Sequence, residues 1–263
     1  MSEFCTFELD GNVGVLTFAN APLNLITFPL MDLFDEALNQ AALSDMRALI
    51  VRSEGPHFCA GADVKMFLDR SEAYARHQFS RALPLIIQRL EELPVPVIAQ
   101  VQGFCLAAGL EIAMACDIIV AGKSAEFAQV EVHIGASTFL GGIERLATLC
   151  GANRAREIVF GGDRYSAEQF ERWNIVNRVV EDEQLAEKTM KYARRIASGP
   201  TRAHAVSKRL VRAALDDGVR GADRLIGDIA APLFETKDMQ HGVRVLLEHG
   251  SRNMIGKAKF EGN

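Results

Sequence analysis

Phe104-Cys-Leu-Ala-Ala-Gly-Leu-Glu-Ile-Ala-Met-Ala-Cys-Asp117 carries one carboxylate, Glu111, in a stretch otherwise uncharged up to Asp117. A β-like run, Val95-Pro-Val-Ile-Ala-Gln-Val-Gln-Gly103, precedes it, and Ile118-Ile-Val-Ala121 follows. Ala107, Ala108 and Gly109 are small enough for another backbone or a ligand to come close. A strand that runs through small residues into a helix leaves free N–H groups at the positive end of that helix. Such an end can hold a developing negative charge, with Glu111 about one turn further in. Two blander readings compete. A membrane span is opposed by Pro96, Gln100, Gln102, Gly103, Gly109, Glu111 and Asp117, few of which a continuous span would tolerate. A buried strand–helix–strand core, with Glu111 merely complementing the helix N-terminus, stays open from this segment alone.

Outward from that segment the chain alternates between strand and helix. Phe4 to Ala19 alternates around Asp10-Gly11-Asn12, a hairpin signal. Phe28 to Ala42 repeats apolar residues at helical spacing, and Arg47-Ala-Leu-Ile-Val-Arg52 is a short strand. Glu72 to Leu93 reads as helix, stopped by Pro94 and Pro96, and Val97 to Val101 as the next strand. This order requires crossover connections and a mainly parallel sheet. Further on come Ile118-Ile-Val, a strand over Glu126 to Val132, helices Gly142 to Leu149, Ala152 to Phe160 and Ala167 to Trp173, and a strand Ile175 to Val180. From Asp182 only helices are expected: Gln184–Ala197, Arg202–Leu215, Ala222–Phe234 and Asp238–Glu248. The fold class is therefore α/β, with a core over residues 1–197 and an all-helical region over 198–263.

Composition fits a globular protein of 263 residues, with 49% hydrophobic and 24% charged residues. A net charge of −5 gives no general attraction for nucleic acid, and Lys188, Lys191, Arg194 and Arg195 form only a modest cluster. The five cysteines include no pair at zinc-ligand spacing, so no metal site is expected. Met-Ser-Glu-Phe-Cys-Thr lacks the basic-then-apolar pattern of a leader, so a reduced, cytoplasmic setting is expected.

A second loop, His57-Phe-Cys-Ala-Gly-Ala-Asp-Val-Lys65, has the same small-residue character. Two such turns after strands of one parallel sheet lie at the same edge, where open α/β sheets bind ligands. If each presents one N–H, they make a two-donor oxyanion hole; alternatively they are ordinary strand-to-helix turns. Ala128-Gln-Val-Glu-Val-His-Ile-Gly135 adds Glu131 in an apolar run. Two carboxylates in apolar surroundings can serve as acid and base, with burial raising a pKa toward neutrality. Glu131 also fits an outward-facing strand residue between Val130 and Val132, and His133 beside it reads as a packed or surface histidine.

Four motifs together give the chain a family likeness: Phe58-Cys-Ala-Gly-Ala-Asp-Val-Lys65, Gly103 to Ile118, Phe127-Ala-Gln-Val-Glu131 and Gly141-Gly-Ile-Glu-Arg-Leu146. Over essentially its whole length the chain resembles the enoyl-CoA hydratase/isomerase (crotonase) superfamily. The resemblance implies a spiral of ββα units with a helical C-terminal region, assembled as a homotrimer or a homohexamer built as a dimer of trimers. It implies that the N–H groups of Ala62 and Ala108 hold a thioester oxygen, while Glu111 and Glu131 handle a water and an α-proton. Ala60, Ala62, Asp63, Val64, Lys65 and Ala108 would bind the acyl-CoA, joined by Lys259 and Phe260, often from a neighbouring subunit. No cofactor is implied beyond the coenzyme A of the substrate. The expected reaction is hydration of a 2-enoyl-CoA, with a dehydratase or Δ3-Δ2 isomerase on a specialised acyl-CoA as the alternative. A non-catalytic or RNA-binding protein of the same fold is the reading from another class. Three departures are visible, the first that Asn20-Ala-Pro-Leu-Asn-Leu25 lacks a basic residue found there in some members, which would remove one phosphate contact. Ala108 stands where the family usually has Gly, keeping the N–H and adding a methyl group. Phe139 and Leu140 occupy a loop that is Pro-Gly-rich in many members, and are expected to shape the acyl pocket.

Overall fold

The computed structural model describes residues 4–251 and 256–263; residues 1–3, where the search for a leader begins, lie outside these. Its strands are β1 (Phe4–Asp10), β2 (Val13–Ala19), β3 (Ala48–Ser53), β4 (Val97–Val101), β5 (Phe104–Leu106), β6 (Ile118–Gly122), β7 (Glu126–Ala128), β8 (Tyr165–Ser166) and β9 (Arg178–Val180). The larger sheet has the order β1-β2-β3-β4-β6-β9, antiparallel only at the β1–β2 hairpin and parallel thereafter. The smaller sheet, β5-β7-β8, is extended past β5 by a parallel bridge between Cys59 and Cys105. The chain thus leaves the first sheet and joins the second three times: from β3 to Cys59, from β4 to β5, and from β6 to β7. That is the ββα spiral that the resemblance implies.

The helices are α1 (Phe28–Ala42), α2 (Glu72–Ala82), α3 (Arg89–Glu92), α4 (Ala108–Ala115), α5 (Gly142–Cys150), α6 (Ala152–Gly161), α7 (Ala167–Arg172), α8 (Leu185–Ala197), α9 (Thr201–Ala230) and α10 (Lys237–His249). Thr27 caps α1, its side chain accepting from Leu30 N–H at 3.2 Å, and Pro29 fits the first turn. The stripe Leu30, Phe34, Leu38 and Ala41 then buries completely, worth about 1.5–3 kcal/mol for each large side chain.

Alternation along the strands divides the interior in two. Leu16, Phe18, Leu49, Val51, Val97 and Ala99 point to a core shared with α1 and α4. Val13, Val15, Ala48, Ile50, Ile98 and Val120 point the other way, onto Leu185, Ala193 and Ala197 of α8. A parallel sheet buried on both faces explains why these strands are almost uninterruptedly apolar.

Five departures from the expected elements have local causes. The helix expected over Glu72 to Leu93 contains a wide π turn, Leu83–Gln88, where Pro84 supplies no N–H and its ring needs room. The strand expected over Glu126 to Val132 stops at Ala128. Glu131–Ile134 is a 3-10 turn closed by Gly135 at φ 70°. The strand expected from Ile175 pairs only at Arg178–Val180, because Asn177 spends its side chain on Ile119 N–H at 2.7 Å. β5 and β8 are three and two residues long and leave no periodic trace. Finally, the two helices expected over Arg202 to Phe234 form one run, α9, broken at Gly218 (φ 73°, ψ 170°) and followed by a 3-10 turn, Ala231–Glu235.

Candidate active site

Gly103, at φ 54°, turns the chain out of the first sheet; β5 follows, and then Ala107 at φ 49°, ψ −121°. That conformation is uncommon for a residue with a side chain and costs of order 1–3 kcal/mol. Ala107 is held there by its N–H donating to Ala128 O at 2.9 Å, and α4 begins at the next residue. The 59–62 turn lies directly against it. A Cβ on Gly109 would meet Cys59 O at 2.5 Å, and one on Gly61 would meet Ala107 Cβ at 3.2 Å. Glycine at both places lets the two turns touch. The N–H groups of Ala62 and Ala108 donate to no other described residue, whereas neighbouring amides are used: Gly61 to Cys59 Sγ, Asp63 to Ile26 O, Ala107 to Ala128 O.

Both turns open into one cavity of about 410 Å³, a size typical of small-molecule sites. Ala60, Ala62, Val64, Ala108, Glu111, Glu131, Phe139 and Leu140 all line it, so most of the expected site residues are brought together. Asp63 and Lys65 are not among the lining residues. Asp63 instead caps the 3-10 turn Val64–Met66, accepting from Lys65 N–H at 3.0 Å. Lys259 and Phe260 do not reach the cavity of their own chain either. Their segment is tied down elsewhere: Arg47 donates to Phe260 O at 2.9 Å, and buried Asp238 accepts from the N–H groups of Glu261 and Gly262 at 2.7 and 2.8 Å.

Glu111 is 2% exposed. One of its oxygens accepts from Leu140 N–H at 2.8 Å and Gly142 N–H at 2.9 Å. Glycine at 142 leaves room for this contact, since a Cβ there would lie 3.0 Å from that oxygen and against the Gln129 amide. Burial pushes the Glu111 pKa up to about 8, the Glu131 charge adding to the rise, while the two N–H groups and Arg145 hold it down. Glu131 is half-buried on its 3-10 turn, and burial raises its pKa as well.

Sequence reasoning missed several participants. Gln129, 1% exposed, holds its side-chain amide 3.0 and 3.1 Å from the two Glu131 oxygens, and with its NH2 turned toward them it donates to both. Its one signal was a polar residue two positions before the glutamate. The far end of the cavity is aromatic: Phe139 stacks on Phe79 (centroids 4.4 Å apart) and meets Phe67 edge-on at 5.6 Å. Phe79 belongs to a segment whose spacing suggested only a helix, and Phe67 lies between the 57–65 loop and that helix, where no element was expected. His133 donates to or accepts from no carboxylate of the pair; its Nε2 lies 3.1 Å from Gly162 O.

Among the described residues no helix is long and apolar enough to cross a membrane. The family model for enoyl-CoA hydratase/isomerase matches residues 8–257. A short-chain-enoyl-CoA hydratase of Clostridium acetobutylicum is 30% identical over 97% of this chain and 95% of its own length. A crotonyl-CoA hydratase of Syntrophomonas wolfei is 32% identical over 80% of each chain. The crystal structure of an enoyl-CoA hydratase from Bacillus anthracis superposes with a TM-score of 0.89 at 26% identity, covering 98% of this chain and 99% of that one. With its spiral fold and its match over nearly the full length, the chain belongs to the enoyl-CoA hydratase/isomerase family.

Proposed function

We propose that the protein is an enoyl-CoA hydratase, a hydro-lyase that adds water across the C2–C3 double bond of a 2-enoyl-CoA thioester. The observation that carries the mechanism is the contact between the two small-residue turns, with two N–H groups that have no partner among the described residues and one buried and one half-buried carboxyl opening on the same cavity. The thioester oxygen sits between Ala62 N–H and Ala108 N–H. Attack of water at C3 drives charge onto that oxygen, so the donors stabilise the enolate more than the bound substrate. The donor at Ala108 opens α4 and is strengthened by the dipole of that helix.

Water delivery and protonation at C2 need one carboxylate and one carboxylic acid on the same face. The elevated pKa of Glu111, near 8, keeps a proton on the Glu111–Glu131 pair at neutral pH while the other member is ionised. Coenzyme A leaves along Ala60 to Lys65, and the acyl chain runs toward Phe67, Phe79, Phe139 and Leu140. Lys259 and Phe260 contact coenzyme A bound to an adjoining subunit of a trimer or hexamer. Exposed apolar side chains on the C-terminal helices, among them Val211, Leu215, Val219 and Leu247, support that assembly. Five free cysteines support a reduced, cytoplasmic setting.

The test is product analysis with 2-enoyl-, 3-enoyl- and 3-hydroxyacyl-CoA. Conversion of crotonyl-CoA to its 3-hydroxy product, with no migration of a 3-enoyl double bond, is expected. Double-bond migration without hydration would overturn the reading in favour of an isomerase.

A further inference from the structure

Behind the residues 140–142 turn lies a charged chain that ends in the C-terminal helices. Arg145 of α5 donates to Gly141 O at 3.0 Å, the carbonyl of the same peptide unit whose N–H, that of Gly142, holds Glu111. The guanidinium fills the space that a Cβ on Gly141 would take. Its Nε and Nη2 both reach Glu91 Oε1, at 2.8 and 2.5 Å. The other oxygen of Glu91 is held by Arg212 of α9, which also pairs with Asp216 at 2.7 Å. Arg145 and Glu91 are 19% and 17% exposed, so their interaction is little screened by solvent.

We propose that the Glu91–Arg145 ion pair, closed from the C-terminal region by Arg212, is a positioning device that fixes the 140–142 turn and, through it, the Glu111 carboxyl. Neither residue lines the cavity, so both act through that turn. The assignment rests on the hydratase reading for its kinetic readout only.

The charged groups facing Glu111 are few. Glu131 faces it from the 3-10 turn and Arg145 from α5, and both act on its titration. Glu91 and Arg212 reach it through Arg145. β5, β6 and the Leu83–Gln88 turn contribute no charge, and burial keeps the Cys105 thiol neutral. A cation favours ionised Glu111, and Glu91 offsets that cation. The two members of the pair therefore have opposite effects.

The experiment records kcat and KM against pH for Arg145→Gln, Glu91→Gln and Arg212→Gln. It is paired with carboxyl titration by carbon NMR, the Glu111 resonance being assigned as the one missing from Glu111→Gln. Arg145→Gln is expected to move the Glu111 titration and the alkaline limb of kcat upward by roughly half a unit or more, and Glu91→Gln downward by a similar amount. Arg212→Gln moves them slightly upward. In the first two variants kcat falls about 10–100-fold with KM nearly kept, as a misplaced catalytic group does. Shifts of one sign, or folded variants with no shift, would overturn the proposal. Arg212→Gln, altered at the half-exposed end, keeps the test decisive if the inner variants do not fold. A wild-type protein that hydrates nothing would sink the hydratase reading while the titration still judged this one.

Discussion

The two carboxyls of the site sit on supports of opposite kind. Glu111 rises from α4, whose every residue is buried, and one oxygen is pinned by two backbone N–H groups. Glu131 stands on a single 3-10 turn with no buried residue, and the polar side chain facing its oxygens is the amide of Gln129. Backbone donors cannot rotate away, whereas an amide side chain can follow its partner. The contrast teaches that one carboxyl is fixed by the fold and the other is steered by a side chain, an arrangement that separates their environments without separating them in space.

Shortening each acid by one methylene tests this most severely. Glu111→Asp cannot keep both N–H bonds and reach the substrate, so kcat should fall about 10³-fold, within the range of about 10²–10⁴ expected of a positioned acid or base; Glu131→Asp, on a turn that can adjust, should lose nearer 10-fold, below that range. Steady-state kinetics on crotonyl-CoA decides, and equal losses would break the comparison. Next in size is a paired glycine test. Gly142→Ala presses on the Glu111 oxygen and should cut kcat about 10²-fold, as small displacements of catalytic groups do. Gly135→Ala meets no atom but strains a left-handed residue, so it should cost about 1 kcal/mol in denaturant unfolding while leaving kcat almost intact.

A smaller effect is expected in stability against pH. Glu111 has its folded pKa raised, so its neutral form is the one the fold prefers. Its contribution is complete below its unfolded value and is lost as pH rises through about 8. Wild-type midpoints in urea should therefore fall between about pH 4.5 and pH 8 and level off above, and Glu111→Gln should flatten that fall; a parallel decline in both would contradict the burial of Glu111. The smallest change belongs to Gln129→Leu. Glu131 loses its steering amide, and kcat should fall only a few-fold, the scale of one hydrogen bond to a charged group. A loss as great as that of Glu111→Asp would show that Glu131 is as rigidly held as Glu111.

Much of this was legible in the chain, for identifiable reasons. The sheet and α1 follow from apolar periodicity, because both have faces buried against one another. Glu111 stood out because a carboxylate in a long apolar run needs an explanation. Glu131 was visible for the same reason, but its support was misread. A 3-10 turn of Glu131–Ile134 has no period long enough to be told from alternation with Val130 and Val132. The donors to Glu111 were illegible, since a backbone N–H of Leu140 or Gly142 leaves no mark in side-chain chemistry. Arg145 lay inside a quoted motif, yet only its approach to Gly141 shows what the glycine and the arginine do together.

The wide turn at Leu83–Gln88 has an evolutionary consequence. An α-helix advances about 100° per residue, so the extra residue accommodated there resets the phase of everything on one side of it. Before it, Ala75, Gln78, Phe79 and Ala82 look into the cavity; from its second half onward, Ile86, Ile87 and Leu90 look into the core. Deleting a single residue at Pro84 would restore a regular helix and swing one of those faces out of place. Length at this point of the chain is thus under tighter constraint than identity. A lineage could exchange the aromatic lining freely, one side chain at a time, but could not gain or lose a residue here without exchanging pocket for core.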